Sequence, residues 1–229
     1  MEKHRRTGAL HALALLFSTA TLLACGGGPS LPVEGAPVPG PAPAPGTGAV
    51  TPFASPANAT DTSEAGKLQA YAFAEKAAQQ TQGTPQFAGG AVTLGASLSA
   101  AQAFAGVALR AYAPGNTGAA PVAPIDASAQ RQLKIQLKSS TDSLLQVKLH
   151  PSPVAADGCT ATATVMVSAT LAEVVIDLDD KSFPLPDYCN GAGSKIGTVK
   201  AGLYAIDVIN PAASAGTHDL SIGTLKLAH

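Results

Sequence analysis

Residues 131–138 read RQLKIQLK and decide the fold class, because apolar and polar side chains alternate strictly along them. Leu133, Ile135 and Leu137 share one parity, and the polar residues between them share the other. A period of two predicts a β-strand with one buried face. The pattern returns at residues 144–150, LLQVKLH, after the polar stretch SSTDS. The two runs are therefore predicted to pair as an antiparallel hairpin.

Further strand-like runs lie on both sides of this pair. They are AVTLGASLS at 91–99, GVALRAYAPG at 106–115, TATATVMVSA at 160–169, LAEVVIDLDD at 171–180, TVKAGLYAIDVIN at 198–210 and DLSIGTLKLAH at 219–229. The run at 198–210 is mainly apolar, which predicts a central strand covered on both faces. In the last run the apolar parity changes near Gly223, which predicts a β-bulge. Seven or eight short strands predict an antiparallel β-sandwich or a related barrel.

Residues 61–80, DTSEAGKLQAYAFAEKAAQQ, are the exception to the β pattern. Their Ala, Glu, Gln and Lys content favours a short N-terminal helix, with Thr62 or Ser63 as its cap. We therefore expect a single mainly β domain over residues 61–229, with this helix at its start.

Residues 26–60 hold nine of the 18 prolines and seven of the 23 glycines, and only one charged residue, Glu34. This composition cannot bury enough apolar surface to fold, and its Pro-rich part favours extended polyproline II. The segment is predicted to be a linker, with a Pro-rich recognition ligand as the alternative. At about 3.1 Å per residue, the fully extended linker would reach roughly 110 Å.

The start of the chain has the features of a secretory signal peptide. Lys3, Arg5 and Arg6 precede the apolar run GALHALALLFSTA at residues 8–20, which is shorter than the roughly 20 residues that span a bilayer. The segment then ends LLAC at residues 22–25, which resembles the lipobox of bacterial lipoproteins.

This resemblance implies that residues 1–24 are removed and that Cys25 carries the lipid anchor. Several acyl chains hold a protein on a membrane, whereas one chain alone holds it marginally. Gly26 follows the cysteine, and the sorting rule of enteric lipoproteins then implies the outer membrane of the cell envelope. An ordinary signal peptide is the alternative.

The two other cysteines, Cys159 and Cys189, form an even pair in an exported chain, so we expect them to form a disulfide. No C-x-x-C spacing or nearby histidine cluster supports the alternative, a reactive or metal-binding pair.

Residues 1–24 hold three of the 14 basic and one of the 15 acidic residues, so the remaining chain has a net charge of −3. Without a basic stripe, nucleic acid is not an expected partner.

Two places are candidate binding sites. Asp177, Asp179 and Asp180 form the densest acidic cluster, and carboxylates at this spacing are a candidate calcium site, although the glycine turn and distal glutamate of a dedicated calcium loop are absent. In the loop FPLPDYCNGAG at 183–193, a recognition tip would consist of Phe183, Tyr188 and Asn190. A solvated strand end and an ordinary loop are the alternatives.

No motif of a serine hydrolase, a zinc protease, a P-loop or a Rossmann fold occurs in the sequence. His150 and His218 are the only candidates for a hydrolase, and residue type alone supports them. The sequence therefore predicts a non-enzymatic envelope lipoprotein without a cofactor, whose β-domain docks onto an envelope protein or polymer. A small-ligand or calcium-binding module is the alternative.

Overall fold

The computed structural model describes residues 68–113, 124–151, 159–185, 188–189, 195–211 and 214–229. In these ranges 11 strands form two antiparallel sheets. The five-stranded sheet has the order β1 (Leu68–Ala74), β5 (Ala105–Tyr112), β10 (Leu203–Pro211), β7 (Ser143–Pro151) and β8 (Ala161–Val167). The six-stranded sheet has the order β2 (Gln80–Gln82), β4 (Ala91–Leu98), β11 (Gly216–Ala228), β6 (Gln132–Lys138) and β9 (Ala172–Asp177), and β3 (Gln86–Ala88) also pairs with β4. A 3-10 turn covers Ala77–Gln79, and helix α1 covers Ile196–Ala201.

The two sheets pack face to face, and their inner faces form one hydrophobic core. Both sheets contribute the side chains that alternation places inward, among them Leu133, Ile135 and Leu137 on β6 and Leu145, Val147 and Leu149 on β7, all of them at most 1% exposed. The predicted β-sandwich is therefore confirmed.

The predicted hairpin of β6 and β7 is wrong, because these strands lie in different sheets. β6 pairs with β11 and β9, whereas β7 pairs with β10 and β8. The polar residues between them carry the chain from one sheet to the other, and the side chains of Ser139 and Ser140 hydrogen-bond to Asp219 on β11. Alternation defines which side chains face the core, but it does not define the neighbouring strand.

The predicted helix at residues 61–80 is wrong for the part that the structure describes, residues 68–80. Residues 68–74 form β1, which pairs along its length with β5, from Leu68 opposite Ala111 to Ala74 opposite Ala105. Ala70 and Ala72 pack against the core. Pairing with a neighbouring strand and burial of one face outweigh the modest helix propensity of these residues.

Two finer predictions are confirmed. β10 is the middle strand of its sheet and eight of its nine residues are buried, as predicted for a strand covered on both faces, although helix α1 takes the first residues of the predicted run. The register of β11 against β6 shifts between Ile222 and Leu225, where the parity change at Gly223 predicted a bulge.

The predicted disulfide is also confirmed. Cys159 and Cys189 are joined, with 5.4 Å between their Cα atoms and a sequence separation of 30. Closing a loop of this length stabilises a fold by about 4 kcal/mol in the chain-entropy account. The predicted signal peptide, Cys25 and the linker lie outside the described residues. No helix among the described residues is both long and apolar enough to cross a membrane.

Candidate functional site

The candidate site lies on the face of the five-stranded sheet that points away from the core, called the outer face below. Leu109, Val208 and Val147 point into the core from β5, β10 and β7. Their chain neighbours Arg110, Asp207 and Lys148 therefore point outward, and the register places Asp207 directly between the other two. A row of charged residues thus crosses three adjacent strands.

Asp207 is the centre of this row and is 1% exposed. Its Oδ2 accepts one hydrogen bond from the phenol of Tyr71 on β1 and one from the Nη2 of Arg110 on β5, both at 2.7 Å. His150 on β7 brings its Nε2 to 3.4 Å from the same oxygen. The Asp207 cluster, defined as Tyr71, Arg110, His150 and Asp207, therefore draws one side chain from each of four neighbouring strands.

Burial and pairing oppose each other in the pKa values of this cluster. Burial alone would raise the pKa of the Asp207 carboxyl, but the contact with His150, the charge of Arg110 and the hydrogen bond from Tyr71 together lower it below the usual value. The pKa of Tyr71 is raised, by burial first and then by the adjacent carboxylate. Burial would lower the pKa of Arg110, yet the charge of Asp207 raises it. The cluster therefore holds a carboxylate beside a guanidinium and a protonated phenol.

Three buried polar atoms in this cluster lack a hydrogen-bond partner in the part of the chain that the structure describes. They are Oδ1 of Asp207, Nε of Arg110 and Nε2 of His150, whose 3.4 Å approach to Asp207 has poor hydrogen-bond geometry. Leaving a buried polar atom unpaired costs about 1–3 kcal/mol. Arg110 and His150 are nevertheless 24% and 13% exposed at their side chains, so solvent or a ligand reaches the edge of the cluster.

Aromatic rings surround the charged row. The guanidinium of Arg110 lies 5.5 Å from the ring centroid of Tyr71, and the ring of Tyr204 lies 6.0 Å from that of His150. Tyr112, next to Tyr204, donates a hydrogen bond of 2.9 Å to Gln69. Planar rings and fixed polar groups thus share one surface, a combination typical of ligand-binding sites.

The three aspartates of the predicted calcium site do not converge on one point. Asp177 accepts a hydrogen bond from the side chain of Gln132, and Asp179 and Asp180 accept from the backbone of Ser182 and Ile196. Among the described residues, no group of three or more His, Cys, Asp or Glu is placed to hold a metal ion.

The charges around these aspartates also disfavour a cation. Asp177 and Asp179 line a cavity of about 570 Å³, but Arg131 and Lys200 line it too. A calcium ion there would meet two positive side chains.

The predicted recognition tip is divided by the structure. Phe183 is fully buried in the hydrophobic core, so its role is structural and the prediction for this residue is wrong. The reason is that its apolar ring packs better between the sheets than in water. Tyr188 is 70% exposed, as a tip residue must be. Asn190 lies outside the described residues.

The two histidines of the hydrolase alternative have different surroundings. In the described part of the chain, the ring of His218 forms a hydrogen bond with the backbone oxygen of Ser214 at 3.0 Å. His150 reaches the carboxylate of Asp207, but the hydroxyl of the cluster, on Tyr71, is bound to that same carboxylate. In a catalytic triad the histidine base contacts the nucleophilic hydroxyl directly. Here the histidine and the hydroxyl both contact the carboxylate, so the arrangement does not match a triad.

The sequence interpretation did not identify Tyr71, Arg110 or Asp207 as site residues. A usable pattern was present, since Arg110 within GVALRAYAPG and Asp207 within LYAIDVIN are charges of opposite sign inside apolar runs. Charges in covered strands are rare unless they are paired. Their juxtaposition, however, depends on β5 lying beside β10, which alternation does not reveal.

No protein-family model and no curated protein matches this chain. Among solved structures, a family 11 carbohydrate-binding module from Clostridium thermocellum, in complex with a mixed-linked tetrasaccharide, is similar with a TM-score of 0.47 at 10% identity, over 71% of this chain and 88% of that one. An exo-β-agarase is similar with a TM-score of 0.47 at 9% identity, over 77% of this chain and 25% of that one. The structure described as BiXyn10A CBM1 has a TM-score of 0.39 at 16% identity, over 74% and 94%. No family assignment follows from likenesses of this size.

Proposed function

We propose that this chain is a lipid-anchored protein of the bacterial envelope whose β-sandwich binds a hydroxyl-rich polymer on the outer face. Cys25 would carry the anchor and residues 26–60 would serve as the tether. In this role the ligand is held without any bond being made or broken in it.

The observation that carries the proposal is the set of unpaired atoms in the Asp207 cluster. Oδ1 of Asp207 can only accept a hydrogen bond and Nε of Arg110 can only donate one. A hydroxyl group does both, and neighbouring hydroxyls of a sugar present several such groups at short spacing. A ligand that supplies these partners would recover part of the free energy lost to unpaired burial.

The charge balance of the cluster favours a hydroxyl-rich ligand over a small ion. The carboxylate of Asp207 and the guanidinium of Arg110 neutralise each other at 2.7 Å. A bare cation would be repelled by Arg110, and a bare anion would compete with Asp207 for it. Uncharged hydroxyls accept and donate without disturbing the ion pair.

The proposed anchor rests on the sequence and is tested directly. Cells that express the full chain would be fed a labelled fatty acid, and label on the protein would be measured in the membrane fraction. Cys25→Ser should lose the label and leave the membrane, whereas Cys189→Ser should keep the label. Equal label on wild type and Cys25→Ser would refute the anchor.

The proposed binding is tested by calorimetry with the purified chain. The probes are oligosaccharides of four units derived from cellulose, chitin, xylan and β-1,3-glucan, together with glycan fragments of peptidoglycan. We expect one class to bind and Asp207→Asn to weaken it at least about tenfold, which corresponds to 1.4 kcal/mol.

Glu173→Gln is the matched control, because Glu173 lies on β9 in the other sheet, at 45% exposure of its side chain. It should bind as the wild type does. If no probe binds and crosslinking in cells instead recovers an envelope protein, the polymer role is refuted and the adaptor role replaces it.

A further inference from the structure

A second cavity opens on the outer face beside the Asp207 cluster. Its volume is about 380 Å³, and Phe73, Ala103, Phe104, Ala105, Gln146, Lys148, Ile209 and Pro211 line it. One wall is aromatic and the opposite wall carries the polar side chains of Gln146 and Lys148. No residue of the Asp207 cluster lines this cavity.

The aromatic wall has a defined geometry, held by ring stacking and by a glycine beneath it. The rings of Phe73 and Phe104 are stacked, with centroids 6.4 Å apart and an interplanar angle of 18°. Phe104 is 58% exposed, which is unusual for so large an apolar side chain. Phe73 lies over Gly106, where an added Cβ would stand 2.8 Å from its ring. The glycine therefore makes room for the ring to lie against the sheet.

The cavity and the Asp207 cluster follow one another along β10. Ile209 and Pro211 line the cavity and lie two and four residues beyond Asp207 on the same face of the strand. At about 3.3 Å per residue, Asp207 and Pro211 are roughly 13 Å apart. Lys148 joins the two places, because it is opposite Asp207 in register and also lines the cavity.

We propose that this cavity is a second sugar subsite, so that the ligand is an extended oligosaccharide of at least about three linked rings lying along β10. One ring would contact the Asp207 cluster. Another would stack its C–H face on Phe104, since the face of an aromatic ring is electron-rich. Gln146 and Lys148 would donate hydrogen bonds to its hydroxyls from the opposite wall. This inference rests on the proposed function.

The test is a chain-length series measured by calorimetry on the purified full chain, with oligosaccharides of two, three, four and six units from each of the polymers named above as probes. For the series that binds, the wild type should gain at least about tenfold in affinity between the disaccharide and the tetrasaccharide. Phe104→Ala should remove most of that gain and leave the disaccharide affinity unchanged. Phe104 is exposed, so the fold should tolerate this change.

Met166→Ala is the matched control, because Met166 is a 66% exposed apolar side chain on β8 of the same sheet, outside the cavity. It should keep the full chain-length gain. Equal affinity for all lengths, with loss of binding in Asp207→Asn, would overturn the second subsite and leave the proposed function standing. Loss of the gain in Met166→Ala as well would also overturn it. Failure of every length to bind would overturn both proposals.

Discussion

Each sheet carries one aspartate on a central strand, and the two aspartates have opposite surroundings. Asp219 on β11 accepts hydrogen bonds from the hydroxyls of Ser139 and Ser140 and from the backbone of Ser140, at 2.6–3.1 Å. Asp207 on β10 is 1% exposed, is held by Arg110 and has an unpaired oxygen. The carboxylate of Asp219 therefore stabilises a turn by accepting hydrogen bonds from neutral groups. The carboxylate of Asp207 instead pairs with a charged guanidinium and has one oxygen without a hydrogen-bond partner among the described residues.

The rest of the two outward surfaces differs in the same way. On the six-stranded sheet, Thr93 pairs with Ser221 through their hydroxyls, and Lys226 lies 3.8 Å from Glu173 at the solvent boundary. On the five-stranded sheet, Oδ1 of Asp207, Nε of Arg110 and Nε2 of His150 are buried without a hydrogen-bond partner in the described part of the chain, and aromatic rings flank them. Satisfied polar groups stabilise a surface, whereas unsatisfied ones leave hydrogen-bonding capacity for a ligand.

Removing the charge of Asp207 should have the largest effect on stability. Asp207→Ala leaves Arg110 unpaired, and breaking a buried ion pair costs 3–5 kcal/mol. Because Arg110 is 24% exposed, we expect about 3 kcal/mol in urea unfolding. The double variant Asp207→Ala, Arg110→Met should lose less than the sum of the two single changes. Additive losses would show that the pair is not coupled.

Gly106 on the five-stranded sheet and Gly95 on the six-stranded sheet should respond differently to alanine. At Gly106 an added Cβ would meet the carbonyl oxygen of Asn210 and stand 2.8 Å from Phe73, and such overpacking costs about 1–3 kcal/mol. At Gly95 on β4 the nearest atom would be 3.7 Å away, an ordinary contact. Thermal unfolding of Gly106→Ala and Gly95→Ala compares them. A loss of stability of equal size in both would contradict the assigned crowding.

Acid should remove the contribution of Asp207 to stability. The folded state lowers the pKa of Asp207, so its stabilising contribution is complete above the unfolded value of about 4 and is lost as the pH falls through the folded value. Unfolding free energies measured from pH 5 to pH 2 should therefore fall more steeply for the wild type than for Asp207→Asn. Parallel curves would exclude Asp207 as a source of the acid sensitivity.

The exposed ion pair on the six-stranded sheet should matter least. Lys226 and Glu173 are 47% and 45% exposed at their side chains, and such pairs contribute between about 0 and 1 kcal/mol. Glu173→Gln should change the unfolding free energy by about 0.5 kcal/mol or less, and added salt should remove the difference. A loss as large as that of Asp207→Ala would remove the contrast between the two surfaces.

Sequence reasoning predicts the local features of this fold better than its connections. Alternation at residues 131–138 correctly identifies a strand and its buried face, and the parity change at Gly223 correctly locates the bulge. The partner of β6 is not predictable in the same way, because a strand of given alternation fits beside several neighbours. The helix at 61–80 was wrong for the described part, because pairing with β5 outweighs propensity.

The candidate site was less accessible to sequence reasoning than the fold. The acidic run at residues 177–180 was a predicted calcium site because its aspartates are close together in sequence. Their carboxylates, however, accept hydrogen bonds from separate local donors. Tyr71, Arg110, His150 and Asp207 are scattered over four strands and meet only when the sheet forms. A charge inside an apolar strand indicates such a site, but its partners depend on strand order.

The position of β11 in the middle of the six-stranded sheet has a consequence for folding kinetics. β11 pairs with β4 on one side and β6 on the other, so that sheet is incomplete until residues 216–228 are available. The five-stranded sheet likewise joins β5 to the distant β10. Native pairings this far apart in the chain form slowly, on the scale of milliseconds to seconds. Neither sheet can therefore be completed before residues 203–228 have been synthesised, so the earlier strands wait for their central partners.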